Sequence, residues 1–123
     1  STFGGNPLAC AVANALIERV NTPEMKHHVN TVSKTLRSGL ESLNNEFGLF
    51  TDIRGEGLLL GCEMLPEYRG RARDLLGQMQ EQGVLALVAG DDVLRLAPPL
   101  VISEQEVDQG LEFMTAAVKQ FRT

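Results

Sequence analysis

Apolar residues recur by threes and fours along part of this chain and gather into short runs along the rest. The clearest helical period carries Met25, Val29, Val32, Leu36, Leu40, Leu43 and Phe47. It predicts a long amphipathic helix with one wet face. Thr22 is placed to cap that helix, Pro23 to open it, Glu24 to meet the positive end of its dipole and Gly48 to end it. Before it, Pro7 to Val20 is apolar nearly all round, with Leu8, Val12, Ala15 and Leu16 on one face and Cys10, Ala13 and Ile17 on another. Such a helix expects cover on more than one side. A third helix is predicted from about Arg69 to Gln82, with Ala72, Leu75, Leu76 and Met79 inward and Gly83 stopping it. Ser103-Glu104-Gln105-Glu106 is a capping box that opens a last helix with Val107, Leu111, Met114, Val118 and Phe121 on one face.

The runs between these helices predict strands. Leu49 to Arg54 and Leu58 to Met64 flank Gly55-Glu56-Gly57, the signature of a hairpin with a bulged or longer turn. The unbroken run from Leu58 to Cys62 predicts a strand covered on both faces or deeply buried. Val84 to Val88 and Val93 to Ala97 flank the turn-rich Ala89-Gly90-Asp91-Asp92, and Pro98-Pro99 closes the last strand because neither residue can donate to a ladder. The resulting order is helix, helix, strand, strand, helix, strand, strand, helix. It predicts an α+β fold, a small and mostly antiparallel sheet with helices packed against it.

Composition narrows the function classes. At 123 residues the chain can build one modest core, and 43% hydrophobic with 22% charged residues is ordinary for a folded domain. A net charge of -5 argues against a nucleic-acid surface, which needs clustered Lys and Arg. No apolar run reaches membrane-spanning length. Cys10 and Cys62 both lie in apolar stretches and read as reduced core residues of a cytoplasmic protein. The opening on a loop without an initiator Met, together with the undercovered first helix, leads to the expectation of a longer polypeptide and a missing neighbour.

Candidate chemistry is sparse. His27 and His28 are adjacent on a helix, so they point about 100° apart and cannot chelate one metal together; they read as solvated, and no metal site is expected. No nucleophile–base–acid set emerges, and Lys26, Lys34 and Lys119 fall on exposed-looking helix positions. Ser1 and Thr2 lie just ahead of Gly4, Gly5, the N-cap candidate Asn6 and Pro7. Two readings fit them: a simple helix lead-in, or hydroxyls that hold a phosphate at a positive helix end. Arg95, the one charge in Val93-Leu94-Arg95-Leu96-Ala97, also fits two: capture of a carboxylate in two-pronged fashion, or a strand-edge arginine that reaches to solvent or pairs with Asp91 or Asp92. Arg54 reads as a turn-stabilising residue, and Arg69, Arg71 and Arg73 with Glu67 and Asp74 as a solvated helix face.

Three motifs, taken in order, resemble a known family. Ser1-Thr2-Phe3-Gly4-Gly5-Asn6-Pro7-Leu8-Ala9, then Asp52-Ile53-Arg54-Gly55-Glu56-Gly57-Leu58-Leu59-Leu60-Gly61, then Leu94-Arg95-Leu96-Ala97-Pro98-Pro99-Leu100 are similar to stretches of the class III aminotransferases, pyridoxal-phosphate enzymes of fold type I. The resemblance runs over the whole chain and is to their C-terminal part. Residues 1–22 would then be an interface loop and a linking helix from the large domain, and 23–123 the small domain. Within the family the chain is most similar to the acetylornithine and succinylornithine enzymes, and Pro66 to Asp74 with Asn21 to Glu24 resemble the biosynthetic acetylornithine branch, with succinyl-diaminopimelate as a further substrate.

By position, the resemblance implies that Thr2 reaches the cofactor phosphate of the other subunit across a homodimer, with Ser1 as a weaker contact, and that Arg95 binds the substrate α-carboxylate. No catalytic residue is expected in this stretch; the cofactor-bearing lysine, the aspartate on the pyridine nitrogen and the aromatic over the ring would lie in the large domain, so the piece alone would be inactive. The implied reaction passes an amino group from N-acetylornithine to 2-oxoglutarate in ping-pong fashion. Ornithine and 4-aminobutyrate are alternative donors. A self-contained binding or dimerisation domain is the rival class, and it would need a covered first helix.

Overall fold

The computed structural model describes residues 2–122. Four α-helices and four strands follow in the order α1 (Pro7–Val20), α2 (Pro23–Phe47), β1 (Phe50–Glu56), β2 (Leu59–Met64), α3 (Ala72–Glu81), β3 (Leu87–Ala89), β4 (Val93–Leu96) and α4 (Glu104–Phe121). The sheet order is β1-β2-β4-β3, antiparallel throughout. The fold is α+β: α2, α3 and α4 cover one face of the sheet and the other face is open.

The local signals do what their chemistry requires. Thr22 accepts from Met25 N at 3.2 Å, and Gly48 takes the left-handed conformation (φ 61°) that ends α2. Ser103 and Glu106 cap each other's backbone amides at the start of α4. At the β1–β2 turn Gly55 has φ 133°, and a Cβ there would meet Leu59 O at 2.1 Å, so only glycine closes this turn.

The core joins Val32, Leu36, Leu40 and Leu43 of α2 to Leu60, Cys62 and Met64 of β2, Leu94 and Leu96 of β4, and Val107, Met114, Val118 and Phe121 of α4. Each fully buried leucine here is worth about 1.5–3 kcal/mol of transfer free energy. A bulge at Thr51 lets Phe50 and Ile53, three residues apart, both turn toward this core.

Several expectations are corrected. The third helix begins only at Ala72; a 3-10 turn over Pro66–Tyr68 and the left-handed Gly70 (φ 76°) precede it, held where Gly70 N donates to Asp92 at 2.6 Å. The third strand shrinks to Leu87–Ala89, because Val84 N is used by Met79 O at 2.9 Å as α3 ends. Leu59 is 59% exposed, so the apolar run of β2 is covered on one face only. Cys10 is exposed and not a core residue, since none of α1 is buried. His28 is half-buried, with Nε2 3.0 Å from Ile102 O. Arg71 stacks over the Phe121 ring at 4.3 Å, beside Tyr68, and is not merely solvated. No helix among the described residues is long and apolar enough to cross a membrane.

Candidate carboxylate and phosphate sites

Strand alternation decides which side chains β4 offers. Leu94 and Leu96 are buried, so Arg95 between them must point to the open face of the sheet. There it lies opposite Gly61 of β2 on one side and Leu87 of β3 on the other. Gly61 in turn lies opposite Arg54 of β1, which makes a row of Arg54, Gly61, Arg95 and Leu87 across the sheet. The missing side chain at Gly61 leaves the space between the two arginines open. A Cβ there would come within 3.3 Å of Val93 Cγ1, so the position is also tight.

The two guanidiniums differ in their surroundings. Arg54 Nη1 donates to Asp52 Oδ2 at 3.1 Å and to Glu63 Oε2. These two carboxylates raise its pKa above the ordinary arginine value, Glu63 first. Arg54 is thus a cross-strand clasp, where the sequence pointed to a turn residue. No side-chain hydrogen bond or ion pair ties the Arg95 guanidinium to another described residue. Its expected rival partner Asp92 accepts from the Gly70 amide instead. An exposed, uncommitted guanidinium on a rigid strand is suited to two parallel hydrogen bonds with a carboxylate.

Thr2 is exposed in the loop before α1. Asn6 caps that helix by accepting from Ala9 N at 2.9 Å, Pro7 takes the first helical position, and Gly5 bends the loop with φ 77°. The Thr2 hydroxyl is a donor that a phosphate ester can use, so Thr2 fits the phosphate end of a cofactor, while the Ala9 amide of the helix end is already taken by Asn6. Ser1 lies outside the described residues. No hydrogen bond links the Thr2 loop to Arg95; the two sit on separate elements, and α1 packs mainly on α2. Among the described residues no group of His, Cys, Asp and Glu is arranged to hold a metal.

Nothing local in the sequence marks Asp52, Glu63 and Gly61 as partners in this face. Only the alternation was present: Asp52, Arg54 and Glu56 share one side of β1, and Leu59, Gly61 and Glu63 share one side of β2. The registry between those strands was not.

The family model of aminotransferase class-III matches residues 1–118. The chain belongs to that family. Acetylornithine aminotransferase of Vibrio parahaemolyticus is 48% identical over 118 residues, 96% of this chain and 29% of the relative. A Pseudomonas aeruginosa protein named succinylornithine transaminase/acetylornithine aminotransferase is 44% identical over the same share of each chain. The crystal structure of N-acetylornithine aminotransferase from Stenotrophomonas maltophilia superposes with a TM-score of 0.89 at 42% identity, covering 97% of this chain and 33% of that one. This class III aminotransferase chain therefore spans about a third or less of the length of the relatives it matches.

Proposed function

We propose that this chain is the carboxylate-binding small-domain portion of a pyridoxal-phosphate-dependent acetylornithine aminotransferase. The parent would transfer an amino group from N-acetylornithine to 2-oxoglutarate, giving N-acetylglutamate semialdehyde and glutamate. The observation that carries the reading is Arg95, exposed on the open sheet face with no protein carboxylate on it, in a chain of this family. Both substrates of such a transfer bear a carboxylate; in 2-oxoglutarate it stands next to the reacting carbonyl carbon, whereas N-acetylornithine reacts at its terminal carbon with the carboxylate at the far end of the chain. One fixed guanidinium can hold 2-oxoglutarate by the carboxylate beside its reacting carbon, and so keep that carbon in register, and can bind the carboxylate of the donor in the other half of the exchange.

In this reading residues 1–22 form the interface loop and linking helix and 23–123 the small domain. Thr2, with Ser1 beside it, binds the phosphate of pyridoxal 5'-phosphate held mainly by the partner subunit of a cytoplasmic homodimer. When bound, that cofactor supplies the electron sink for moving an amino group and a proton at the carbon that bears the free amine. The cofactor-bearing lysine is assigned to the large domain, since Lys26, Lys34 and Lys119 are all exposed on helices away from the open face. The exposed apolar residues of α1, Leu8, Val12, Leu16 and Ile17, are assigned to contacts with the large domain and the second subunit. Roles in arginine synthesis, and through succinyl-diaminopimelate in lysine synthesis, follow from these substrates. A second reading, N-succinylornithine as donor, is favoured by the double name of the Pseudomonas aeruginosa relative.

The test is steady-state kinetics of the full-length protein with N-acetylornithine, N-succinylornithine or ornithine as donor and 2-oxoglutarate as acceptor. N-acetylornithine should give the highest kcat/KM. Arg95→Ala should raise the KM for donor and acceptor together by about a hundredfold, the loss of a charge-assisted, two-pronged contact of ~3 kcal/mol. Normal kinetics in that variant, or no glutamate from any donor, would overturn the proposal.

A further inference from the structure

The open sheet face holds a second arginine whose pairing bears on the first. Arg54 and Arg95 flank Gly61 in one cross-strand row, and the next row places Asp52, Glu63 and Val93 side by side. Glu63 is therefore a diagonal neighbour of both arginines on the same face. Diagonal positions lie about 7 Å apart, a span that long side chains bridge. With glycine at 61, no β2 side chain in the arginine row stands between Glu63 and Arg95. Yet Glu63 is held by Arg54, as is Asp52, whose Oδ2 lies 3.1 Å from Arg54 Nη1. Glu56, the remaining acid on this side of β1, lies opposite Leu59 and lines a groove with Asn30, away from the Arg95 row.

We propose that Arg54 is a positioning residue for the carboxylate site: by clasping Glu63, with Asp52 as its second partner, it keeps Glu63 off Arg95, whose guanidinium stays free for substrate. The inference rests on the assignment of Arg95 as the α-carboxylate anchor. Its physical content is competition. A carboxylate fixed on the neighbouring strand is present at high effective concentration, and an unclasped Glu63 occupies the same guanidinium that a dissolved substrate must find. Glu63 stands diagonal to both guanidiniums, and in the arrangement seen it pairs with Arg54 and leaves Arg95 open.

The experiment uses the full-length holoenzyme. Arg54→Met is expected to raise the KM for donor and acceptor by about fivefold, the worth of one exposed ion pair, with kcat little changed. The dissociation constant for 2-oxoglutarate by calorimetry should weaken by the same factor. Adding Glu63→Gln to Arg54→Met should restore both quantities, because the competing charge is gone. A purely structural role predicts the reverse, since the double variant has lost still more of the clasp. Unchanged KM values in Arg54→Met, or failure of the double variant to recover, overturn the inference. If Arg95→Ala raises both KM values while Arg54→Met does not, the anchor stands and the clasp falls; if Arg95→Ala has no effect, the anchor itself falls. Should Arg54→Met not fold, Arg54→Gln asks the same question. A neutral amide no longer holds Glu63 by charge, so KM should rise and Glu63→Gln should reverse the rise. Absence of either change overturns the inference.

Discussion

Gly39 on α2 and Leu111 on α4 meet where the two helices pack, so closely that a Cβ on residue 39 would lie 2.2 Å from Leu111 Cδ1. Glycine inside a helix is unfavourable by about 1 kcal/mol relative to alanine, so this position yields helix propensity to close packing. Only the tip of Leu111 is in the way, and a 140 Å³ cavity lined by Leu36, Leu111 and Met114 lies beside it.

Gly39→Ala should therefore destabilise the fold by about 1 kcal/mol, the overpacking cost exceeding the propensity gain. In a Leu111→Ala background the same substitution should become stabilising, by up to ~1 kcal/mol. Urea unfolding of the four proteins of this cycle measures the coupling. Equal effects of Gly39→Ala in both backgrounds would show that the contact does not matter.

Arg37 covers the outer edge of the sheet. From α2 its Nη1 donates to Ile53 O at 2.9 Å and its Nη2 to Gly55 O at 2.7 Å, carbonyls of the edge strand β1 that face away from β2. Arg37→Met keeps much of the stem packing and removes both bonds, which should cost about 1–2 kcal/mol at this partly exposed position. Hydrogen exchange should quicken in β1 more than in β4. Uniform quickening across the sheet would argue against a local role.

The two thiols should react differently. Burial pushes the Cys62 thiol up to about 12, with the Arg37 charge opposing and the Asp52 charge adding to the shift, whereas Cys10 lies exposed on α1. Because the thiolate is the nucleophile, iodoacetamide near pH 8 should label Cys10 of the folded chain and spare Cys62 until it is unfolded. Mass spectrometry of the labelled peptides decides this, and equal early labelling of both would contradict the burial of β2.

Glu106 ties stability to acid pH. Its carboxylate accepts from the Ser103 amide and from the Ser103 hydroxyl, each at 2.8 Å, and these bonds hold its pKa below the ordinary 4.5. A carboxyl with a folded pKa lower than its unfolded one binds fewer protons when folded, so its contribution is complete above the unfolded value. That contribution disappears as pH falls through the folded value. Glu106→Gln should flatten the stability–pH curve of the chain below about pH 4.5 and leave its slope unchanged near neutrality. An unaltered acid limb would mean that the capping box does not titrate with folding.

Much of the architecture could be read in advance because its causes are local. The caps at Thr22 and Ser103, the stop at Gly48 and the period of α2 each depend on residues within a few positions of one another. Misreadings arose where a distant partner intervened. The helix expected from Arg69 waits until Ala72 because the left-handed Gly70 donates its amide to Asp92, 22 residues away. Arg71 looked solvated because its partner ring, Phe121, lies 50 residues on. Phe50 and Ile53 share a face through a bulge that no alternation rule anticipates.

The candidate site divides the same way. The residues before the first helix and the lone arginine of Val93 to Ala97 stood out by type and context, and the family's motifs named both. Sequence by itself determined most of the elements and the α+β class, since period, capping and turn chemistry act over a turn or two of chain, and its motifs carried the resemblance to the family. Only the tertiary structure decided that Arg54 takes Glu63 and Asp52 while Arg95 takes neither. That choice depends on the register of β1, β2 and β4. Register is set by which side chains the core accepts, and a shift of one residue would turn every one of these charges to the other face.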